Sequence, residues 1–485
     1  MRTWLPVLHV MGLMWMLFST TFALPIAASL YYNDGTVWNF IDAMGSIFAT
    51  GALLWLATKP FRRELRRRDG FLLVVFMWLG MAAVAALPLM YTLPGLSFTD
   101  AFFETLSGLT TTGATVLVGL DHLPPAINLW RHELNWLGGM GIIVLAVAIL
   151  PMLGVGGMQL YKAETPGPMK DSKLTPRITE TAKALWLVYF AITAACAVAL
   201  RIAGMGWFDA INHAFATLSL GGFSTHDASV GFFNSPAIEG VLIVFMLVAA
   251  LNFASHFLAW HQRSLRVYLH DTEGLSVLVV ILGSCVMIAG FLWWRDVYPE
   301  FTTALRHASF NLVSIATDCG FASVDFGQWP IFAPMWMLFL SSIAVSSGST
   351  GGGIKMIRTM LLYKQANREL FRLLHPQSVS AVKVAGRVIP NNVVIAVLGF
   401  IFLYFMSVVV LTFTMMASGL DFVTAMSAVI ACINNAGPGL NEVGPASNYS
   451  GLTDFQTWVC SAAMLLGRLE IFSLLILFTP AYWRK

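Results

Sequence analysis

The sequence predicts an all-α integral membrane protein. Four pseudo-repeated units of helix, pore half-helix, filter loop and helix surround a central pore, and a helix pair precedes them. Three observations predict this. The 485 residues are 57% hydrophobic and only 11% charged, with a mean hydropathy of +0.73. Globular domains carry about 25% charged residues, so an ordinary soluble enzyme is excluded. Apolar stretches of membrane-crossing length recur, about 20 residues for a hydrocarbon core of about 30 Å. Finally, four shorter apolar segments each run into a glycine in the same context, at Gly113, Gly222, Gly320 and Gly437. A porin-like barrel is excluded because these runs do not alternate apolar and polar residues.

Ten spanning helices are expected, at roughly 5–31, 37–58, 70–93, 134–153, 182–204, 236–260, 274–294, 331–363, 391–417 and 454–480. The first follows Arg2 and contains Ala27-Ala28, which could resemble a signal peptide, but its apolar run is too long for one. It is expected to be retained. Between the spans lie apolar segments at 101–110, 210–219, 304–317 and 422–433, each too short to cross. A half-helix that dips in and returns as a loop fits them, since irregular backbone at membrane depth must line a wet cavity or be buried in protein. The expected units are 1–69 (the N-terminal pair), 70–165, 166–270, 271–385 and 386–485.

Charge orients the chain. With the N-terminus cytoplasmic and the half-helices entering from outside, the cytoplasmic segments hold 22 of the 28 Lys and Arg. They include the runs 59–68, 162–183, 263–266 and 358–387. Only Arg131, Arg201, Arg295 and Arg306 fall outside, and Lys355 and Arg468 lie within or near spans. That asymmetry obeys the positive-inside rule and predicts that both termini are cytoplasmic. Topology accounts for the basic loops, so the lipid bilayer is the expected environment and no nucleic-acid partner is expected. The five scattered cysteines have no metal-ligand spacing and read as small apolar fillers.

Aligned on the four glycines, the chain repeats. Twelve residues earlier stand Ala101, Ala210, Ala308 and Ala425. Six earlier stand Ser107, Ala216, Ser314 and Ala431, and three earlier Thr110, Ser219, Thr317 and Asn434. Asp227, Asp325 and Glu442 lie five residues after the last three glycines, and Asp121 lies eight after the first. One such glycine reads as a helix C-cap before a solvated loop. Four in register, each between spans, read as loops meeting on one axis.

The chemistry follows from that geometry. A cation sheds its water only where fixed oxygens replace it, and rings of backbone carbonyls do so. Glycine allows the backbone conformation and close approach this needs, and the partially negative ends of the half-helices favour a cation. The carbonyls of Thr111, Thr112, Leu220, Gly221, Asp318, Cys319, Asn435 and Ala436 are the candidate ligands. The four acids would make the outer mouth negative.

Two further features lie in the spans. The eighth is interrupted by Ser346, Ser347, Gly348, Ser349, Thr350, Gly351, Gly352 and Gly353, a run too glycine-rich for stable helix. It is not a nucleotide loop, since Ile354-Lys355-Met356 follow instead of Gly-Lys-Ser/Thr. A packing kink and a mobile loop both fit. Arg468 stands about 21 Å into the last span. A lipid-facing cation there costs roughly 2.5–3.5 kcal/mol, so it is expected to face the protein interior. Glu470, two residues on, points to another face.

Thr-Thr-Gly-Ala-Thr at 111–115, Gly-Gly-Phe-Ser-Thr at 221–225, Asp-Cys-Gly-Phe at 318–321, Asn-Asn-Ala-Gly-Pro-Gly at 434–439 and Ser-Ser-Gly-Ser-Thr-Gly-Gly-Gly-Ile-Lys at 346–355 together resemble the Trk/Ktr/HKT superfamily of potassium transporters. The resemblance covers the whole chain, including the N-terminal pair that marks the bacterial Trk-type membrane subunits. It implies one filter glycine per repeat. It implies K+ as the transported ion, because a serine in place of the first glycine accompanies sodium preference in some members. It also implies an intramembrane gating loop at 346–353 and a basic residue, here Arg468, opposing ions at the constriction. A structural Arg satisfied by carbonyls of the broken helix remains compatible with that role. The resemblance further implies a homodimer in a bacterial inner membrane and a cytoplasmic TrkA-type regulatory ring. NAD, ATP or ADP would bind that ring, and no organic cofactor is expected on this chain. A proton- or sodium-coupled symporter is the main alternative, although it would need ionisable groups near the midplane. No nucleophile, metal cluster or phosphate loop supports an enzyme.

Overall fold

The computed structural model describes residues 4–63, 65–144, 178–378, 380–384 and 386–484. The protein is mostly helical, and a single two-stranded hairpin, Lys383–Val384 with Arg387–Val388, joins two helices. Among the described residues, six helices are long and apolar enough to cross a membrane: Leu5–Tyr32, Val37–Phe61, Arg68–Thr92, Ala182–Ile202, Thr272–Trp294 and Asn391–Ala417. The chain is a multi-pass membrane protein. Between about one fifth and two fifths of each of these helices is buried inside the protein, and the remainder presents apolar side chains outward, as lipid requires.

The other expected spans differ. The helix expected at 134–153 begins at Pro125 and is described to Val144, and 145–153 lie outside the described residues. The expected boundary at 165–166 and the basic residues Arg2, Lys162, Lys170, Lys173, Arg177 and Lys485 also lie outside them. The helix expected at 236–260 is not continuous: Pro236–Ala250 and Phe253–Gln262 meet at 96°. The Asn252 side chain accepts the Ala254 N–H and starts a new helix there. The helix expected at 454–480 bends by 110° after Arg468, between Asp454–Arg468 and Phe472–Phe478. Glu470 takes a positive φ of 50° in that bend. The eighth span divides as its glycines predict, into Phe332–Ile343 and Met356–Leu374.

The four half-helices are present as Phe98–Leu109, Trp207–Ser219, Phe301–Ala316 and Phe422–Asn434. Two have side-chain N-caps: the Ser97 hydroxyl accepts the Asp100 N–H, and the Asp421 carboxylate accepts those of Val423 and Thr424. All four are deeply buried toward their C-termini, and the outer helices pack around them.

Candidate functional site

Each half-helix ends in the same way. Two residues before the glycine, Thr111, Leu220, Asp318 and Asn435 all take the left-handed conformation, with φ of 54°, 54°, 65° and 59°. The N–H of the next residue then donates back to the carbonyl six before the glycine. These bonds run from Thr112 to Ser107, Gly221 to Ala216, Cys319 to Ser314 and Ala436 to Ala431, each 2.8 Å. A second bond, spanning three residues, accompanies every one, such as Thr111 N–H to the Gly108 carbonyl at 2.9 Å. Four Schellman ends in register turn four chains out of helix at one level. A non-glycine residue in that conformation costs of order 1–3 kcal/mol, here repeated four times.

The glycines follow with φ of 77°, 64°, 91° and 87°. Their surroundings form a closed cycle. A β-carbon on Gly113 would lie 2.3 Å from the Gly221 carbonyl oxygen, and one on Gly222 would lie 1.9 Å from that of Cys319. One on Gly320 would lie 2.6 Å from that of Ala436, and one on Gly437 2.7 Å from that of Thr112. Each loop therefore abuts the next, and the fourth returns to the first. All four glycines line one outward cavity of about 80 Å³, with Arg131, His226 and Asp227 also on its wall.

The side chains at the left-handed positions are uneven. Thr111 Oγ1, Asp318 Oδ1 and Asn435 Oδ1 are buried without a hydrogen-bond partner, while Leu220 offers no polar atom. Asn435 Nδ2 donates to Thr112 Oγ1 at 2.9 Å and ties the fourth loop to the first.

The interrupted segment packs against the inner side of this ring. Thr350 Oγ1 donates to the Leu218 carbonyl at 3.0 Å, and Gly352 N–H donates to Asp318 Oδ2 at 3.0 Å. A β-carbon on Gly352 would lie 1.9 Å from the Asn434 carbonyl oxygen. Its flanks are pinned elsewhere. Ser346 N–H reaches the Ala250 carbonyl at 3.0 Å, and the Gly348 carbonyl accepts Phe253 N–H at 3.1 Å, at the break between the two bent helices. Glu273 accepts the N–H groups of Ser347 and Ile357 at 2.8 and 3.1 Å, one from each end of the segment. Lys355 Nζ folds back onto the Gly351 carbonyl.

Arg468 is buried and ends its helix instead of lying within one, where the helix dipole favours a cation. It donates to the Thr350 carbonyl at 2.9 Å and the Gly138 carbonyl at 3.1 Å. Glu470 pairs with Arg358 at 3.0 Å, so it is not the partner of Arg468. Gly138 itself packs on the first half-helix, where a β-carbon would lie 1.9 Å from the Leu109 carbonyl oxygen. The segment reaches the ends of the second, third and fourth half-helices, and Arg468 is linked to the first through Gly138.

Three of the four acids after the glycines are engaged with the loops. Asp121 accepts from the His226 imidazole and, at 3.1 Å, from Asp227 N–H, and Asp227 accepts Leu120 N–H at 3.1 Å. Asp325 accepts Gly327 N–H at 3.0 Å, and Glu442 is exposed. This side of the ring is thus less negative than four free carboxylates would make it, because His226 stands among them. Burial alone would lower the His226 pKa, but the Asp209 and Asp121 carboxylates beside it outweigh that and raise it.

Residues that sequence reasoning missed are charged groups in apolar surroundings: Glu273, Lys355 and the pair Glu104–Arg131. Their position inside apolar stretches was a usable signal, but their partners lie far away in sequence.

The described residues and their order match known proteins closely. The TrkH family model, described as a cation transport protein, matches residues 36–485. The Trk system potassium uptake protein TrkH of Halomonas elongata is 49% identical over 480 residues, covering 99% of each chain. Its Escherichia coli counterpart is 47% identical with the same coverage. The crystal structure of the potassium transporter TrkH from Vibrio parahaemolyticus superposes with a TM-score of 0.91 at 45% identity, covering 99% of this chain and 100% of that one. The chain therefore belongs to the TrkH family of cation transport proteins.

Proposed function

We propose that this chain takes up potassium through a channel-like pore whose filter is the ring of four loops around Gly113, Gly222, Gly320 and Gly437. The reading is supported above all by the closed cycle in which each glycine abuts a carbonyl of the neighbouring loop. Full-length relatives named as potassium uptake proteins support the ion. The carbonyls of Thr111, Thr112, Leu220, Gly221, Asp318, Cys319, Asn435 and Ala436 replace the hydration shell. The segment Ser346–Gly353 and Arg468 form the gate. Arg468 holds the segment beneath the ring and places a positive charge on the path. The four units are residues 70–165, 166–270, 271–385 and 386–485, preceded by the pair 1–69. Lys and Arg asymmetry orients the chain in a bacterial inner membrane with both termini cytoplasmic. A homodimer and a cytoplasmic TrkA-type regulator that carries the nucleotide complete the proposed system; the relatives' place in a Trk system supports further components beside this chain.

A coupled symporter using the same ring is the second reading, and one observation favours it. Asp318, Lys355 and Arg468 all bond to the interrupted segment against the ring, where a coupling site would need ionisable groups. Potassium flux through reconstituted protein decides between the two. Flux down its own gradient, indifferent to a proton or sodium gradient, is expected. Uphill potassium movement driven by either gradient would establish the symporter. Gly113→Ser is expected to weaken selection of potassium over sodium, and unchanged selection would remove the ring from the filter role.

A further inference from the structure

Arg131 is one of four basic residues on the outer side of the proposed topology, and it is almost fully buried. Its Nε donates to Glu104 Oε1 at 2.8 Å, and Nη2 lies 2.8 Å from the same oxygen. The Glu104 carboxylate also accepts the Thr115 hydroxyl at 2.9 Å and the Val116 N–H at 3.0 Å. The guanidinium then reaches a second loop. Nη1 donates to the Ser224 carbonyl at 3.3 Å, and the group lies 4.3 Å from the Phe223 ring. Thr115 is two residues past Gly113, and Ser224 is two past Gly222.

The same place in the other repeats is built differently. Nine residues before each glycine stand Glu104, His213, Asn311 and Ala428. His213 bonds Ser224 Oγ at 3.0 Å, and Asn311 bonds the Ser323 hydroxyl and N–H, both at 3.0 Å. In the fourth repeat the neighbouring Ser427 hydroxyl accepts Leu440 N–H at 2.8 Å. Each half-helix thus fastens its own outgoing strand. The first does so with an ion pair, and the planar fork of arginine lets that pair hold a second loop as well.

We propose that Glu104 and Arg131 are positioning residues that fix the first two loops against each other and so set discrimination among alkali cations. This rests on the ring being the filter. A carbonyl ring selects through the number and spacing of its oxygens, and the pair joins two of the four loops behind them. Neither side chain touches the ion.

The test is potassium and sodium flux by the full chain in proteoliposomes, with melting temperature measured on the same preparations. Glu104→Gln, Arg131→Gln and the double variant are each expected to lose about tenfold or more of the potassium-to-sodium ratio. The double variant separates position from charge, because restored neutrality does not restore the fork. Recovery of the ratio in the double variant would overturn the proposal. Should these variants fail to fold, Thr115→Val decides. It removes one hydroxyl and leaves the ion pair, and an unchanged ratio there overturns the proposal. Arg306→Gln, which breaks the ion pair with Glu239 (2.7 Å), is expected to keep the ratio. Gly113→Ser is run alongside. If it too leaves selectivity unchanged, the filter reading fails; if it alone changes selectivity, only the positioning role fails.

Discussion

Gly222 lies so close to Cys319 that a β-carbon would stand 1.9 Å from the Cys319 carbonyl oxygen. The oxygen belongs to the next loop of the ring, so a side chain here would displace a neighbouring carbonyl as well as its own strand. Alanine at the four glycines should therefore fail in graded fashion. Gly222→Ala is expected to be worst, followed by Gly113→Ala at 2.3 Å, with Gly320→Ala and Gly437→Ala mildest at 2.6 and 2.7 Å. Potassium flux normalised to folded protein measures the order. Equal effects at all four positions would mean that the clash distances do not control the ring.

Arg468 joins the Thr350 carbonyl to the Gly138 carbonyl at 2.9 and 3.1 Å. Hydrogen bonds from charged donors contribute about 1.5–3 kcal/mol each. Arg468→Gln should weaken both bonds and remove the charge from the proposed path. Unstimulated potassium flux is expected to rise several-fold, as measured in proteoliposomes without any regulator. Flux at or below the level of the parent would show that Arg468 supports the fold without closing it.

Glu273 holds the two ends of the interrupted segment through Ser347 and Ile357. Glu273→Leu leaves two buried N–H groups without an acceptor, at about 1–3 kcal/mol each. It should lower the melting temperature and increase protease cleavage within 344–355. Glu273→Gln keeps one acceptor oxygen and should be milder. Identical behaviour of the two variants would mean that shape, and not hydrogen bonding, is what Glu273 supplies.

His226 joins Asp121 of the first loop to Asp209 at the start of the second half-helix, and stacks on Phe232 with centroids 3.5 Å apart. Its pKa is raised in the folded protein. The stability it adds is therefore fully present below the ordinary histidine value of about 6.5 and is lost as pH rises through the raised value. Asp121 shifts the other way: burial would raise its pKa, but the His226 bond lowers it. Its contribution holds above the ordinary carboxylate value and is lost only as pH falls through the lowered one. Melting from about pH 6 to about pH 9 should bring the parent and His226→Gln together at the alkaline end. A gap that is constant with pH would exclude this linkage.

Much of the site was legible because it is local. The bond from Thr112 to Ser107, with its three counterparts, spans five residues, so the glycine register and the small residues six positions earlier mark the end of each half-helix without any fold. The half-helix boundaries fell within a few residues of those expected for the same reason, and the gap in the eighth span followed from its glycines. The breaks at 250–253 and 468–472 did not show. Asn252 and the charged residues Arg468 and Glu470 are the only local signals, and each sits in a run otherwise apolar enough to continue as helix. The longer-range groups that hold the bends come from elsewhere: the Gly348 carbonyl for Phe253, and the carbonyls of Thr350 and Gly138 for Arg468.

The sequence by itself determined a helical membrane chain with four half-helices, each running into a glycine. Helix ends and span lengths are settled by bonds a few residues long and by the lipid's demand for apolar surface. Only the tertiary structure decided that loop one meets loop two and loop four returns to loop one. It alone placed the Ser346–Gly353 segment under Leu218, Asp318 and Asn434, and it turned Arg131 from an exception to the charge rule into the partner of Glu104. Such contacts join residues tens to hundreds of positions apart, and a buried charge gives no sign in sequence of which distant group will neutralise it.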